Sequence, residues 1–257
     1  MIALMTGAAG TILMEGTVWS MVLGGAVGAF SGFGVPGLIR RVPEPPPEPA
    51  ETSDSDIGAD STVLTKPLYA GIAGLPGLGL SCSAVATVVG VLIGWRLGLG
   101  WPLVAWLVFL PLALALGLID ARTRLLPSYL IKPGYVVLVP LILLPLLVSQ
   151  DWTSLKRTAM SWAIYGGVFF LLWLIYPRGM GYGDVRLSGL IGLLVGVVGW
   201  AELIVTFYAT FLLGPILMLA LTGFAVRRKQ VPFGPFMLLG ALVGLTCGRW
   251  VLTTLVF

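Results

Sequence analysis

The sequence predicts an all-α, polytopic transmembrane helical bundle of about eight spans. Three observations predict it. Of 257 residues, 58% are hydrophobic and only 10% are charged. Apolar runs recur at roughly the 20 residues that a helix needs to cross a bilayer. In lipid every backbone N–H and C=O must be satisfied internally, so runs of this kind are read as helices.

The spans are expected at roughly 10–34, 68–94, 99–119, 132–149, 159–177, 185–200, 203–224 and 235–255. Pro76, Pro111, Pro140, Pro145 and Pro215 interrupt them and are expected to bend helices, which membranes tolerate. Glycine runs such as GGAVGAF and GIAGLPGLGL supply small residues for close helix packing. The chain divides into an N-terminal span over 1–40, a loop over 41–67 and a seven-span core over 68–257. The loop, RVPEPPPEPAETSDSDIGADST, is rich in Pro, Glu, Asp and Ser. It reads as an extended, disordered, acidic segment with too few apolar residues for a core.

Composition excludes several chemistries. The chain has no histidine, which removes Ser-His-Asp and Cys-His catalysis and His-ligated metals. Its two cysteines, Cys82 and Cys247, sit in apolar stretches without a CxxC spacing, so no metal site and no cofactor is expected. The net charge of +4 does not come from a long basic block, so nucleic acid is not an expected partner. The positive charge follows the loops instead. Arg40, Arg41, Lys66, Arg122, Arg124, Lys132, Arg178, Arg186, Arg227, Arg228 and Lys229 fall on one side of the expected bundle. Arg96, Lys156 and Arg157 fall on the other. The positive-inside bias makes the first side cytoplasmic and turns both termini outward.

Acids are scarce outside the loop: Glu15, Asp120, Asp151, Asp184 and Glu202. Asp151 and Glu202 are expected as solvated loop residues on the outer side. Asp120, in LGLIDARTRLLPSYL, and Asp184, in RGMGYGDVRLSGLIG, each end a span on the same side. Ionisable groups at the edge of lipid are candidates for function. Two carboxyls can hydrolyse a peptide if one is ionised and activates water while the other, protonated, donates to the carbonyl oxygen. They lie 64 positions apart, so only a fold that joins two span ends can pair them.

The helix dipole favours charge on Asp184, at a helix start, and disfavours it on Asp120, at a helix end. That points to Asp184 as base and Asp120 as acid. Arg122, Arg124 and Arg186 can reverse the assignment, and the two roles can exchange during turnover. Gly181 and Gly183 leave the backbone open to an extended substrate chain. Pro232, Phe233, Gly234 and Pro235 make a rigid turn before the last span, on the same side. This turn either walls the site or simply opens a helix, and the residues support both readings equally. The candidate substrate-contacting set is therefore Gly181, Gly183, Arg122, Arg124, Arg186, Pro232, Phe233, Gly234 and Pro235.

GYGD, at Gly181–Asp184, resembles the GxGD signature of membrane aspartic proteases. Its continuation, GDVRLSGLIGLLVG, resembles the prepilin peptidases, or type IV leader peptidases. LIDARTRLLPSYL resembles the first aspartate motif of that family, and PFGPFMLLGAL its C-terminal motif. The three cover about residues 100–257 in the right order. LGGAVGAFSGFGVPGLIRRVPEPP is similar to the family's glycine-rich N-terminal span. Arg186 stands where the family usually has Lys.

The resemblance implies that Asp120 and Asp184 form a catalytic pair. It implies removal of the basic leader from prepilins or pseudopilins, just after a glycine, at the cytoplasmic face of the inner (plasma) membrane. Many members carry a four-cysteine zinc element in the first cytoplasmic loop and also methylate the new N-terminus from S-adenosylmethionine. Residues 41–67 contain no cysteine. The expectation is a short-loop form that cleaves without methylating. A second reading is a transporter or channel that uses the same aspartates for a proton or cation. Its acids are expected near mid-membrane rather than at the rim.

Overall fold

The computed structural model of the protein describes residues 2–44, 69–177, 180–222 and 232–256. Among them the chain is all helix: α1 (Ile2–Arg40), α2 (Tyr69–Ala73), α3 (Leu78–Leu97), α4 (Trp101–Thr123), α5 (Ser128–Val148), α6 (Trp152–Ile175), α7 (Tyr182–Val198), α8 (Trp200–Thr222) and α9 (Gly234–Val256). Six helices, α1, α3, α4, α5, α6 and α9, contain stretches long and apolar enough to cross a membrane. The described apolar part of α8, Trp200–Gly214, is shorter, and α7 has 17 residues. These eight helices stand at the places of the eight expected spans. Most of the acidic loop falls within residues 45–68, which lie outside the described residues.

Three helix pairs carry the packing, and each uses small residues. On α1 and α3, a Cβ at Gly24 would stand 2.1 Å from the Gly90 carbonyl oxygen, and one at Gly28 would stand 2.2 Å from that of Ala86. Backbones this close gain dispersion contacts that bulkier side chains would prevent. Ser20 Oγ donates across the same seam to the Gly94 carbonyl at 2.8 Å, and Ser83 Oγ to that of Ala29 at 2.8 Å. On α8 and α9, Gly240, Gly244 and Gly248 face Thr210, Thr206 and Glu202 one turn at a time. On α6 and α7, Gly192 and Gly196 receive Ser161 and Thr158.

Helix α7 is the centre of the bundle. Every residue from Leu187 to Val197 is buried, and α4, α5, α6, α8 and α9 all contact it. A helix apolar all round belongs in an interior. Arg157 on α6 caps its far end, donating to the carbonyls of Gly196 and Val197 at 2.7 Å each. Cationic donors at a helix C-terminus satisfy orphan carbonyls and complement the dipole. The outer helices turn large apolar side chains outward, among them Phe30, Val136, Val148 and Ile175. This is the arrangement a lipid environment calls for.

Two expectations are corrected. The span expected over 68–94 is broken. Helix α2 stops at Ala73, and α3 starts at Leu78 after Gly77, whose φ of 75° only glycine adopts freely. Pro76 therefore separates two helices rather than bending one. Glu44, just after α1, ties down the start of α2, its carboxylate accepting from the Tyr69 and Ala70 backbone N–H groups at 2.9 Å. Glu202 is not a solvated loop residue. Helix α8 begins at Trp200, so Glu202 lies in its first turn, 4% exposed and paired with Arg96 of α3. Asp151 is exposed and caps α6, accepting from Ser154 N–H at 3.0 Å. The Ser154 hydroxyl, together with that N–H, holds its carboxyl below the usual range.

Candidate active site

Asp120 sits in the last turn of α4. The helix ends just beyond it at Arg124, in a left-handed conformation (φ 56°), whose N–H closes on the Asp120 carbonyl at 2.8 Å. A left-handed residue ends a helix because the next turn cannot continue. Asp184 sits in the first turn of α7, its own N–H bonded to the Gly181 carbonyl at 3.0 Å. Gly181 is the N-cap residue, in extended conformation.

The close approach of these two helix ends depends on glycine. A Cβ on Gly183 would stand 2.5 Å from Leu126 Cβ and 3.0 Å from the Leu126 carbonyl oxygen. Only hydrogen at this position lets the chain after α4 lie against the start of α7. A second glycine brings in α9. The Gly234 N–H donates to Asp120 Oδ2 at 2.8 Å, and a Cβ there would stand 2.8 Å from the same oxygen. Helices α4, α7 and α9 thus converge at one end of the bundle.

Both carboxylates are buried there, Asp120 at 3% and Asp184 at 7% exposure. The packing of Gly183 against Leu126 and of Gly234 against Asp120 gathers the two at the same end of the bundle. Like charges in one desolvated site cannot both be ionised cheaply. Asp184 Oδ1 is buried and has no hydrogen-bond partner among the described residues. Buried polar atoms in folded proteins are rarely left so, and the exceptions cluster where water or substrate binds. Among the described residues no three His, Cys, Asp or Glu gather as a metal site would require.

The other candidate residues spread around this pair. Arg122 and Arg124 are exposed at the end of α4. Arg186 turns to the other side of α7, donating to Ser128 Oγ and stacking 4.7 Å from the Tyr182 ring centroid. Pro235, with Ala121, lines an apolar groove of about 320 Å³ between α3, α4 and α9. Pro232 is half-buried beside it in sequence. Phe233 packs inward against Phe169 and Phe211, with ring centroids 5.8 and 5.9 Å away. Its ring anchors the turn that presents Gly234. Sequence reasoning did not single out Leu126 or Ser128. The Leu-Pro-Ser run after Asp120 was the available signal, since a turn that follows one carboxylate is a natural surface for the other helix.

Residues 107–222 match the model of the "Type IV leader peptidase family". That segment includes both aspartates. Over that segment the chain is similar to the type IV leader peptidase family. Curated relatives named "Prepilin leader peptidase/N-methyltransferase" match beyond that segment. The Pseudomonas aeruginosa protein is 32% identical over 173 residues, 63% of this chain and 56% of the relative. The Pseudomonas putida protein is 31% identical over 193 residues, 67% and 58% respectively. The Stutzerimonas stutzeri protein is 27% identical over 188 residues, again 67% and 58%. The chain thus spans a little over half the length of these leader peptidase relatives. No solved structure matches it.

Proposed function

We propose that this protein is a type IV leader peptidase, an aspartic endopeptidase of the inner (plasma) membrane. On this reading it removes the basic leader from type IV prepilins or pseudopilins at the cytoplasmic face. The observation that supports the reading is the convergence of α4, α7 and α9, which gathers two buried carboxylates, Asp120 and Asp184, at one end of a membrane bundle. Peptide hydrolysis needs one carboxyl of such a pair ionised and the other protonated. The ionised group, Asp184 on the dipole argument, takes a proton from water. The resulting hydroxide attacks the scissile carbonyl carbon while Asp120 gives its proton to the carbonyl oxygen. The tetrahedral diol then collapses: one hydroxyl proton returns to Asp120, the proton held by Asp184 passes to the departing amine nitrogen, and the C–N bond breaks. The Gly234 N–H keeps Asp120 Oδ2 in place through this cycle.

The cytoplasmic placement rests on charge. Described basic residues at the end of the bundle that holds the site include Arg40, Arg41, Arg122, Arg124 and Arg186, and basic residues mark the cytoplasmic side. The substrate class comes from the names of the relatives. Their names also include N-methyltransferase. Residues 41–67 of this chain have no cysteine with which so short a segment could fold around zinc, so we propose cleavage without methylation.

The experiment is cleavage of a prepilin from the same genome by the purified protein in liposomes. Release of the leader by the native protein and not by Asp120→Asn or Asp184→Asn is the expected result. Intact prepilin after incubation with the native protein would overturn the reading.

A further inference from the structure

A second cavity, of about 390 Å³, lies between α5, α6 and α7. On α7 its lining residues are Tyr182, Val185, Arg186 and Gly189, the i, i+3, i+4, i+7 pattern of one helix face. Asp184 falls on the opposite face. The cavity is therefore separate from the carboxylate site, although it shares the first turn of the same helix. Its outer walls are Trp162, Phe170 and Tyr182, all exposed, so it opens sideways, where lipid surrounds the bundle.

The floor is built for close contact. A Cβ on Gly189 would stand 2.1 Å from Tyr135 Oη and 3.0 Å from Trp162 Nε1, so side chains of α5 and α6 rest directly on α7. Tyr135 Oη donates to the Arg186 carbonyl at 2.8 Å. Phe170 and Trp162 are two turns apart, which makes the aromatic channel about 12 Å long. Gly167 leaves part of it empty, since a Cβ there would meet nothing within 4 Å.

Arg186 closes the end of the channel nearest the membrane edge. Its guanidinium donates to Ser128 Oγ and lies over the Tyr182 ring, and no carboxylate among the described residues pairs with it. Its remaining guanidinium donors have no acceptor among the described residues. A half-buried cation at the head of an apolar channel calls for an anion with an apolar tail.

We propose that this cavity holds an anionic phospholipid, its phosphate on Arg186 and one acyl chain along Tyr135, Phe170 and Trp162. A free anion would leave the aromatic channel unfilled, and a leader peptide cut at Asp184 would lie on the other face of α7. Bound lipid ties down Tyr182 and Arg186, which flank Asp184, and so steadies the turn that carries this carboxylate.

The test uses the full chain in nanodiscs of phosphatidylcholine with and without phosphatidylglycerol. Native mass spectrometry counts retained lipid, and thermal unfolding reports the linked stabilisation. The native protein should retain phosphatidylglycerol several-fold over phosphatidylcholine and unfold several degrees higher when it is present. Arg186→Gln should lose both effects, and Arg186→Lys should keep part of each. Gly167→Leu, which grows into the empty channel, should displace the lipid while unfolding normally in phosphatidylcholine alone. The proposal is overturned if the native protein shows no preference, or if the preference survives in both Arg186→Gln and Gly167→Leu. It also fails if inorganic phosphate stabilises as well as phosphatidylglycerol does, or if a leader peptide displaces the lipid. None of these readouts needs cleavage, so they are independent of the roles of Asp120 and Asp184.

Discussion

Gly234 gives its backbone N–H to Asp120 Oδ2 at 2.8 Å, from a position where any side chain would collide with that oxygen. One residue thus serves as donor and as gap. Gly234→Ala should push Asp120 or α9 aside. A displacement of about 1 Å at a reacting group costs on the order of 10²-fold in rate. Cleavage assays should show that loss in kcat with the bundle still folded; turnover within a few-fold of native would mean that Asp120 does not depend on this contact.

Asp120→Asn and Asp184→Asn should each lower leader cleavage by at least the 10²–10⁴-fold, in order of magnitude, that a positioned acid or base contributes. An amide neither accepts the proton of water nor donates one to the carbonyl oxygen. Chelators should leave native activity intact. Near-normal turnover in either mutant, or loss of activity with EDTA, would contradict the two-carboxylate mechanism.

Gly183→Ala places a methyl group 2.5 Å from Leu126 Cβ. Overpacking of this kind destabilises by about 1–3 kcal/mol. Because the clash is with one side chain first, Leu126→Gly in the same molecule should recover part of the loss. A double-mutant cycle measured by denaturant unfolding should give a coupling of about 0.5 kcal/mol or more, and additive effects would show that the two chains do not meet as described.

The Arg96–Glu202 pair links α3 to α8 with Glu202 almost wholly enclosed. Removing one partner strands the other, which costs about 3–5 kcal/mol for buried pairs. Arg96→Met should therefore destabilise more than Arg96→Met with Glu202→Gln together. Unfolding of reconstituted protein checks the order, and a double mutant less stable than the single one would argue against a buried pair.

The acidic loop offers a kinetic test. Glu44 is committed to the α2 amides, so the remaining acids of interest in the loop sequence are Glu48, Glu51, Asp54, Asp56 and Asp60. If they concentrate a basic leader, replacing them by Ser and Gln should raise KM at low salt only. At physiological salt the Debye length of about 8 Å screens the attraction. An unchanged KM at low salt would leave the loop as a connector.

Methylation can be read directly. Mass spectrometry of a pilin processed by this protein alone, with S-adenosylmethionine supplied, should show the cleaved chain without an added methyl group. A methylated N-terminus would show that the spans themselves hold the cofactor.

The sequence by itself determined that the chain is a membrane helical bundle, because apolar length is a local property. It also marked Asp120 and Asp184, because a carboxylate at the edge of lipid stands out in any one segment. What it did not decide was which surfaces meet. Glu202 looked solvated because its own neighbours are a turn and a tryptophan, while the Arg96 that pairs with it lies 106 residues away. Pro76 looked like a kink because its own stretch is apolar throughout, yet α2 stops at Ala73 and α3 starts only after Gly77 in its left-handed conformation. Gly183 read as open backbone and Gly234 as part of a rigid turn, yet they are contact points against Leu126 and Asp120. Contacts between distant segments depend on the tertiary packing of helices whose faces are nearly uniform in polarity. Hydropathy marks such helices, and only the fit of glycine against its neighbour orients them.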